Sequence, residues 1–172
     1  MRKQSGFTLI EMLMVILLVA ILAAVAIPQF IDFQADAKNA KTSALAGAIR
    51  SGIANQRGQM ALRCAKNSYP VLASVSANSV VTGADCTAVQ VPAGDEKILS
   101  GYDTMPTNPW GISSTVTACN LVAGGCDRTL KKKCDGSAAM DATTDGWCYN
   151  PATGDIWANS AKSTLTIKEN TL

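Results

Sequence analysis

Glu11 is the first side chain whose chemistry needs a reason. It stands in "FTLIEMLMVILLVAILAAVAIP", Phe7 to Pro28, a run with no other charged residue. A charged group at the centre of a membrane helix costs about 2.5–3.5 kcal/mol on insertion scales, and less near an end. Glu11 lies about one turn inside the run, where the positive end of the helix dipole favours an anion. What remains of the cost calls for a cation. Phe7 is four residues earlier, so an α-amine freed there would reach Glu11 across one turn of the same helix or from a neighbouring helix. In an apolar core either charge alone is expensive, and pairing recovers much of that expense. A pair between chains would also set axial register, because the apolar remainder slides with little penalty.

Little else in the chain offers chemistry. There is no histidine, which excludes Ser-His-Asp and Cys-His catalysis and histidine-ligated metals. The carboxylates form no recognisable catalytic arrangement, so no catalytic residue is named and an enzyme is not expected. Cys64, Cys86, Cys119, Cys126, Cys134 and Cys148 all follow the apolar run. An even count in an exported domain reads as a disulfide framework, and the absence of any CxxC pair argues against zinc. The expected pairing is Cys64–Cys86, Cys119–Cys126 and Cys134–Cys148. Formal net charge is +2, and without Arg2 and Lys3 the 15 basic residues fall to 13, against 13 acidic. That balance gives no electrostatic reason to expect a nucleic-acid partner.

The element that positions Glu11 is the apolar run itself. From Phe7 to Ile27 it spans about 30 Å as a helix, the thickness of a hydrocarbon core. Arg2 and Lys3 hold its start on the cytoplasmic side and send the rest of the chain outward, in agreement with the cysteines. Three readings fit this layout. One is a secretory signal cleaved after "AVA", Ala24–Ala26. A second is a plain single-span anchor. The third is a short leader cut between Gly6 and Phe7, which leaves the helix on the mature protein.

The residues "SGFTLIE", Ser5 to Glu11, resemble the cleavage and methylation motif of type IV pilins and type II secretion pseudopilins. Glycine precedes the cut, phenylalanine follows it, glutamate is the fifth mature residue, and Pro28 stands where these families usually carry proline. The resemblance implies a membrane-embedded prepilin peptidase that cuts at Gly6–Phe7 and N-methylates Phe7. It also implies Glu11-to-Phe7 pairing between subunits, and a homopolymer raised by an inner-membrane assembly platform and its ATPase. The subunit would wait in the inner membrane with its head in the periplasm, then join a surface pilus or a periplasmic pseudopilus. A pilus subunit is the leading expectation and a type II secretion pseudopilin the alternative. A membrane-tethered binding module that never polymerises is the alternative of another class.

The layout expected is a leader at 1–6, a transmembrane and assembly helix at 7–28, its amphipathic continuation at 29–62 and a head at 63–172. Pro28 lacks a backbone N–H and should kink or locally unwind the helix without ending it. Phe30, Phe33, Ala37, Ala40, Ala44, Ala48 and Gly52 recur every three or four residues, a stripe expected to dock on the head. The glycines at 47, 52 and 58 would either allow close packing or leave this half pliable. "ISSTVT", "RTLKKK", "GWCYN", "DIWAN" and "STLTIK" read as short strands, and "YNPATGDIW" as a hairpin turning at Pro151 and Gly154. Tyr69 to Thr82 is ambiguous between strand and helix. The fold class is α+β: a long N-terminal helix on a small antiparallel sheet, bridged by disulfides.

"PTNPWG", Pro106 to Gly111, is similar to a tryptophan-containing turn of major pseudopilins, where it borders a calcium-stabilised loop. Its plainer reading is an aromatic packed over a turn. Asp141, Asp145 and Asp155 are the candidate calcium ligands, although "DATTDG" is not an EF-hand loop. The cysteines depart from the usual major pseudopilin pattern and could fix the loop instead. Lys131–Lys133 is a basic run, read as a solvated edge; displayed along a fibre it would attract anionic surfaces.

Overall fold

The computed structural model describes residues 6–65, 67–79, 97–111, 113–122, 124–126, 134–136 and 146–160. The chain divides into two compact units, Met1–Ala37 and Lys38–Leu172. Helix α1, Leu9–Cys64, contributes to both.

In the first unit, Leu, Ile, Met and Ala supply helix propensity through the apolar run. Its large side chains face outward: Phe7 is 78% exposed, Leu9 81% and Val25 71%. Among the described residues α1 is the helix long and apolar enough to cross a membrane, and no part of its 18-residue apolar window is buried. Pro28 lies inside α1. The helix therefore continues past the proline.

In the second unit, α1 is followed by α2, Leu72–Ala77, and the strands β1 (Val116–Ala118), β2 (Trp147–Asn150) and β3 (Asp155–Ala158). The ambiguous Tyr69–Thr82 region thus contains a short helix. Asn78 ends it in the left-handed conformation, its backbone N–H directed to the Ser74 and Val75 carbonyls, a common way to stop a helix. "ISSTVT" becomes strand only from Val116. "RTLKKK" and "STLTIK" lie outside the described residues.

The sheet runs β1-β2-β3. The β2–β3 hairpin is antiparallel, with Asn150 opposite Asp155 and Cys148 opposite Trp157. The Gly154 N–H donates to the Asn150 carbonyl at 2.8 Å, and Gly154 takes φ +74°, a value glycine adopts without strain. Strand β1 pairs with β2 in parallel, Val116 opposite Trp147. The sheet is therefore mixed, not wholly antiparallel as expected. β2 is the central strand and all four of its residues are buried. Alternation along it sends Trp147 and Tyr149 to one face and Cys148 to the other.

The main core joins Ala46, Ile49 and Ile53 of α1 with Val75, Met105, Val116, Trp147, Tyr149 and Ile156. A smaller cluster holds Cys134, Cys148 and Trp157. Among the described residues, the buried positions on α1 are Thr42, Ala46, Ile49, Ile53, Gln56 and Met60. This corrects the expected stripe: Ala40, Ala44 and Ala48 are exposed. The true docking row includes two polar residues, which hid it from a search for apolar periodicity. Thr42 satisfies its hydroxyl by donating to the Lys38 carbonyl at 2.9 Å.

Candidate functional site

The start of α1 is organised by two residues. Thr8 precedes the first helical residue, and its hydroxyl oxygen accepts from the Glu11 N–H at 3.3 Å. Glu11 Oε2 reaches back to accept from the Thr8 N–H at 3.2 Å and from the Thr8 hydroxyl at 3.1 Å. Thr8 and Glu11 form a capping box, in which N-cap and N3 residues satisfy each other's backbone donors. Oε1 has no partner among the described residues. The carboxylate also lies in the turn where the helix dipole favours an anion, so it is placed before any second molecule arrives.

Thr8 is the residue the sequence reading missed. The signal was present: Thr-x-x-Glu before an apolar run is a capping-box signature. Phe7 precedes this turn and is exposed. A Cβ added to Gly6 would meet nothing within 4 Å. The described fold therefore makes no demand for glycine at that position.

The other named residues separate in space or fall outside what is described. Cys119–Cys126 and Cys134–Cys148 are disulfides, with sequence separations of 7 and 14, and both pairs were expected. The Cys64–Cys86 pairing lies outside the described residues, as do Asp141, Asp145 and Lys131–Lys133. Asp155 is described: its Oδ1 faces Arg50 Nε at 3.9 Å. Arg50 is itself fixed, donating from Nε and Nη2 to the Ile156 carbonyl at 3.1 and 2.8 Å.

"PTNPWG" is a well-anchored turn. Asn108 is fully buried and donates from Nδ2 to the Gly146 carbonyl and the Ser160 hydroxyl. Its Oδ1 accepts from the Trp110 N–H at 3.1 Å. The Trp110 indole N–H donates to Asn39 Oδ1 at 3.0 Å, and Lys38 Nζ lies 5.1 Å from the ring centroid, within cation–π range. The indole thus ties the turn to α1.

A family model described as the prokaryotic N-terminal methylation motif matches residues 1–27. "Fimbrial protein EcpC" of Eikenella corrodens is 33% identical over 152 residues, covering 87% of this chain and 94% of that protein. "Type IV narrow pilus major component PilA5" of Thermus thermophilus is 44% identical over 52 residues, 30% of this chain and 45% of the relative. "Type IV major pilin protein PilA" of Myxococcus xanthus is 51% identical over 39 residues, 23% of this chain and 18% of the relative. The latter two matches thus span less than half of those relatives' own length. No solved structure matches the chain. The similarity to the Eikenella protein runs through the head as well as the helix, and with the methylation motif it assigns the sequence: the chain belongs to the type IV pilin family.

Proposed function

We propose that the chain is a structural subunit of a pilus, trimmed by a prepilin peptidase between Gly6 and Phe7 and polymerised through α1. One observation carries this reading: a helix uncovered along its apolar length presents a single acid, held in place in its first turn. An anchor has no use for that acid. A filament does, because trimming creates an amine on Phe7 at the edge of an apolar medium, and Glu11 of a neighbour can neutralise it.

The open surroundings of Gly6 support the cleavage step. A Cβ on Gly6 would meet nothing within 4 Å among the described residues, so the backbone at the cut stands open to a peptidase. Removing Arg2 and Lys3 also removes the charges that hold the N-terminus at the cytoplasmic face, so the trimmed helix leaves the inner membrane more easily. The exported head then lies along the fibre with its disulfides formed. The reading calls for no cofactor and no catalytic residue. Similarity to proteins named for fimbriae and pili favours a surface pilus over a secretion pseudopilus.

Mass spectrometry of the mature N-terminus tests the proposal. It should find methylated Phe7 as the first residue. A chain beginning at Ile27, or one retaining residues 1–6, would overturn it.

A further inference from the structure

An open groove of about 370 Å³ lies in the second unit between α1 and the segment Tyr102–Thr107. Its α1 side carries Lys41 and Leu45, and its other walls include Met105, Thr107 and Ser114. Met105 is 2% exposed and Tyr102 43%. The groove is thus lined by buried Met105, accessible Tyr102, the hydroxyl-bearing Thr104, Thr107 and Ser114, and Lys41.

This irregular segment is fixed by buried polar groups at several points. Asn78, fully buried, donates to the Tyr102 carbonyl at 2.8 Å and to the Leu99 carbonyl at 3.1 Å. It also accepts from the Leu99 N–H at 2.7 Å. The buried Trp147 indole donates to the Pro106 carbonyl at 2.7 Å. At the far end, the Asn108 N–H donates to the Ser113 carbonyl at 3.1 Å. Walls held in this way lose little freedom when something binds between them.

The charges select the ligand. Asp103, which also lines the groove, is neutralised by Lys97 Nζ at 2.6 Å. No ion pair involves Lys41 among the described residues, and Lys41 is exposed. One unpaired ammonium matches one carboxylate; a phosphate or sulfate cluster would call for more cations or an arginine fork. An aromatic residue among hydroxyl-bearing ones suits a sugar ring, which has an apolar face and a hydroxylated edge. We propose that this groove binds a carboxylated saccharide, with Lys41 pairing the uronate or sialate carboxylate and Tyr102 packing on the ring. The inference concerns the second unit, where Lys41 and Leu45 of α1 form one wall of the groove.

The test uses the full chain in neutral detergent, labelled for NMR and titrated with hyaluronan tetrasaccharide, with chitotetraose as the uncharged control. Saturable shifts are expected at Tyr102, Thr104 and Thr107. The control should bind more weakly by up to about fivefold, the most expected for losing one exposed ion pair. Lys41→Glu should weaken hyaluronan binding further while leaving the remaining spectrum in place. No saturable shift, equal binding of chitotetraose, or unchanged affinity in Lys41→Glu would overturn the proposal. So would fibre loss in Lys41→Glu without saccharide binding by the unmodified chain, which would make the groove a contact between subunits.

Discussion

Thr8 and Glu11 hold each other at the start of α1, the Thr8 N–H and hydroxyl both directed to Glu11 Oε2 and the Glu11 N–H to the Thr8 hydroxyl. The acid therefore has two separable tasks. It caps its own helix through hydrogen bonding, which an amide can also perform. It offers a negative charge, which an amide cannot.

Thr8→Ala separates them from one side. Losing an N-cap hydroxyl costs about 0.5–2 kcal/mol of helix stability. Amide exchange at Leu9 to Met12 should quicken about 2- to 30-fold in detergent, that cost converted at about 1.4 kcal/mol per decade. Trimming and fibre formation should persist, because the carboxylate remains. Unchanged exchange would show that the box contributes nothing to the turn.

Glycines on the second half of α1 should respond with opposite signs. A Cβ on Gly52 would run into the Ile98 carbonyl, whereas one on Gly47 would meet nothing within 4 Å. Gly47→Ala should stabilise the protein by about 0.5–1 kcal/mol through helix propensity. Gly52→Ala should destabilise it by about 1–3 kcal/mol, the usual range for overpacking. Urea denaturation of the two variants decides the matter. Of the two roles open for these glycines, close packing belongs to Gly52.

Acid should loosen the Lys97–Asp103 contact. The hydrogen bond from Lys97, and then its charge, hold the Asp103 carboxyl below its ordinary value of 3.8. A depressed carboxyl contributes stability that is present above the ordinary value and lost as pH falls through the lowered one. The loss thus occurs below about pH 4 and stays local, because Asp103 is fully exposed. An NMR titration should place the Asp103 midpoint below 3.8; in Lys97→Met it should return to the ordinary value. Identical midpoints would rule the pair out.

These residues also show what a single sequence discloses. Glu11 in the first turn of α1 was legible because an acid in an apolar run is conspicuous. The β2–β3 hairpin was legible because Pro151 and Gly154 are local turn chemistry. Strand β1 was not: it has three residues, and its partner β2 begins about thirty residues later, a pairing no local pattern encodes. The docking row on α1 was hidden for another reason. Thr42 and Gln56 are buried, and a polar group can be buried when its hydrogen bonds are met, so hydrophobic periodicity pointed to the neighbouring alanine row. Thr8 was readable in principle and overlooked.

Glu11→Gln isolates the negative charge, since glutamine retains the capping geometry. Fibres from this variant should be counted and imaged by electron microscopy, with mass spectrometry showing that Phe7 is still the first residue. The expectation is correct trimming, an intact helix start and few or no fibres, because the new amine of each subunit finds no anion on its neighbour. Native numbers of fibres with native helical symmetry, from fully trimmed Glu11→Gln protein, would contradict it.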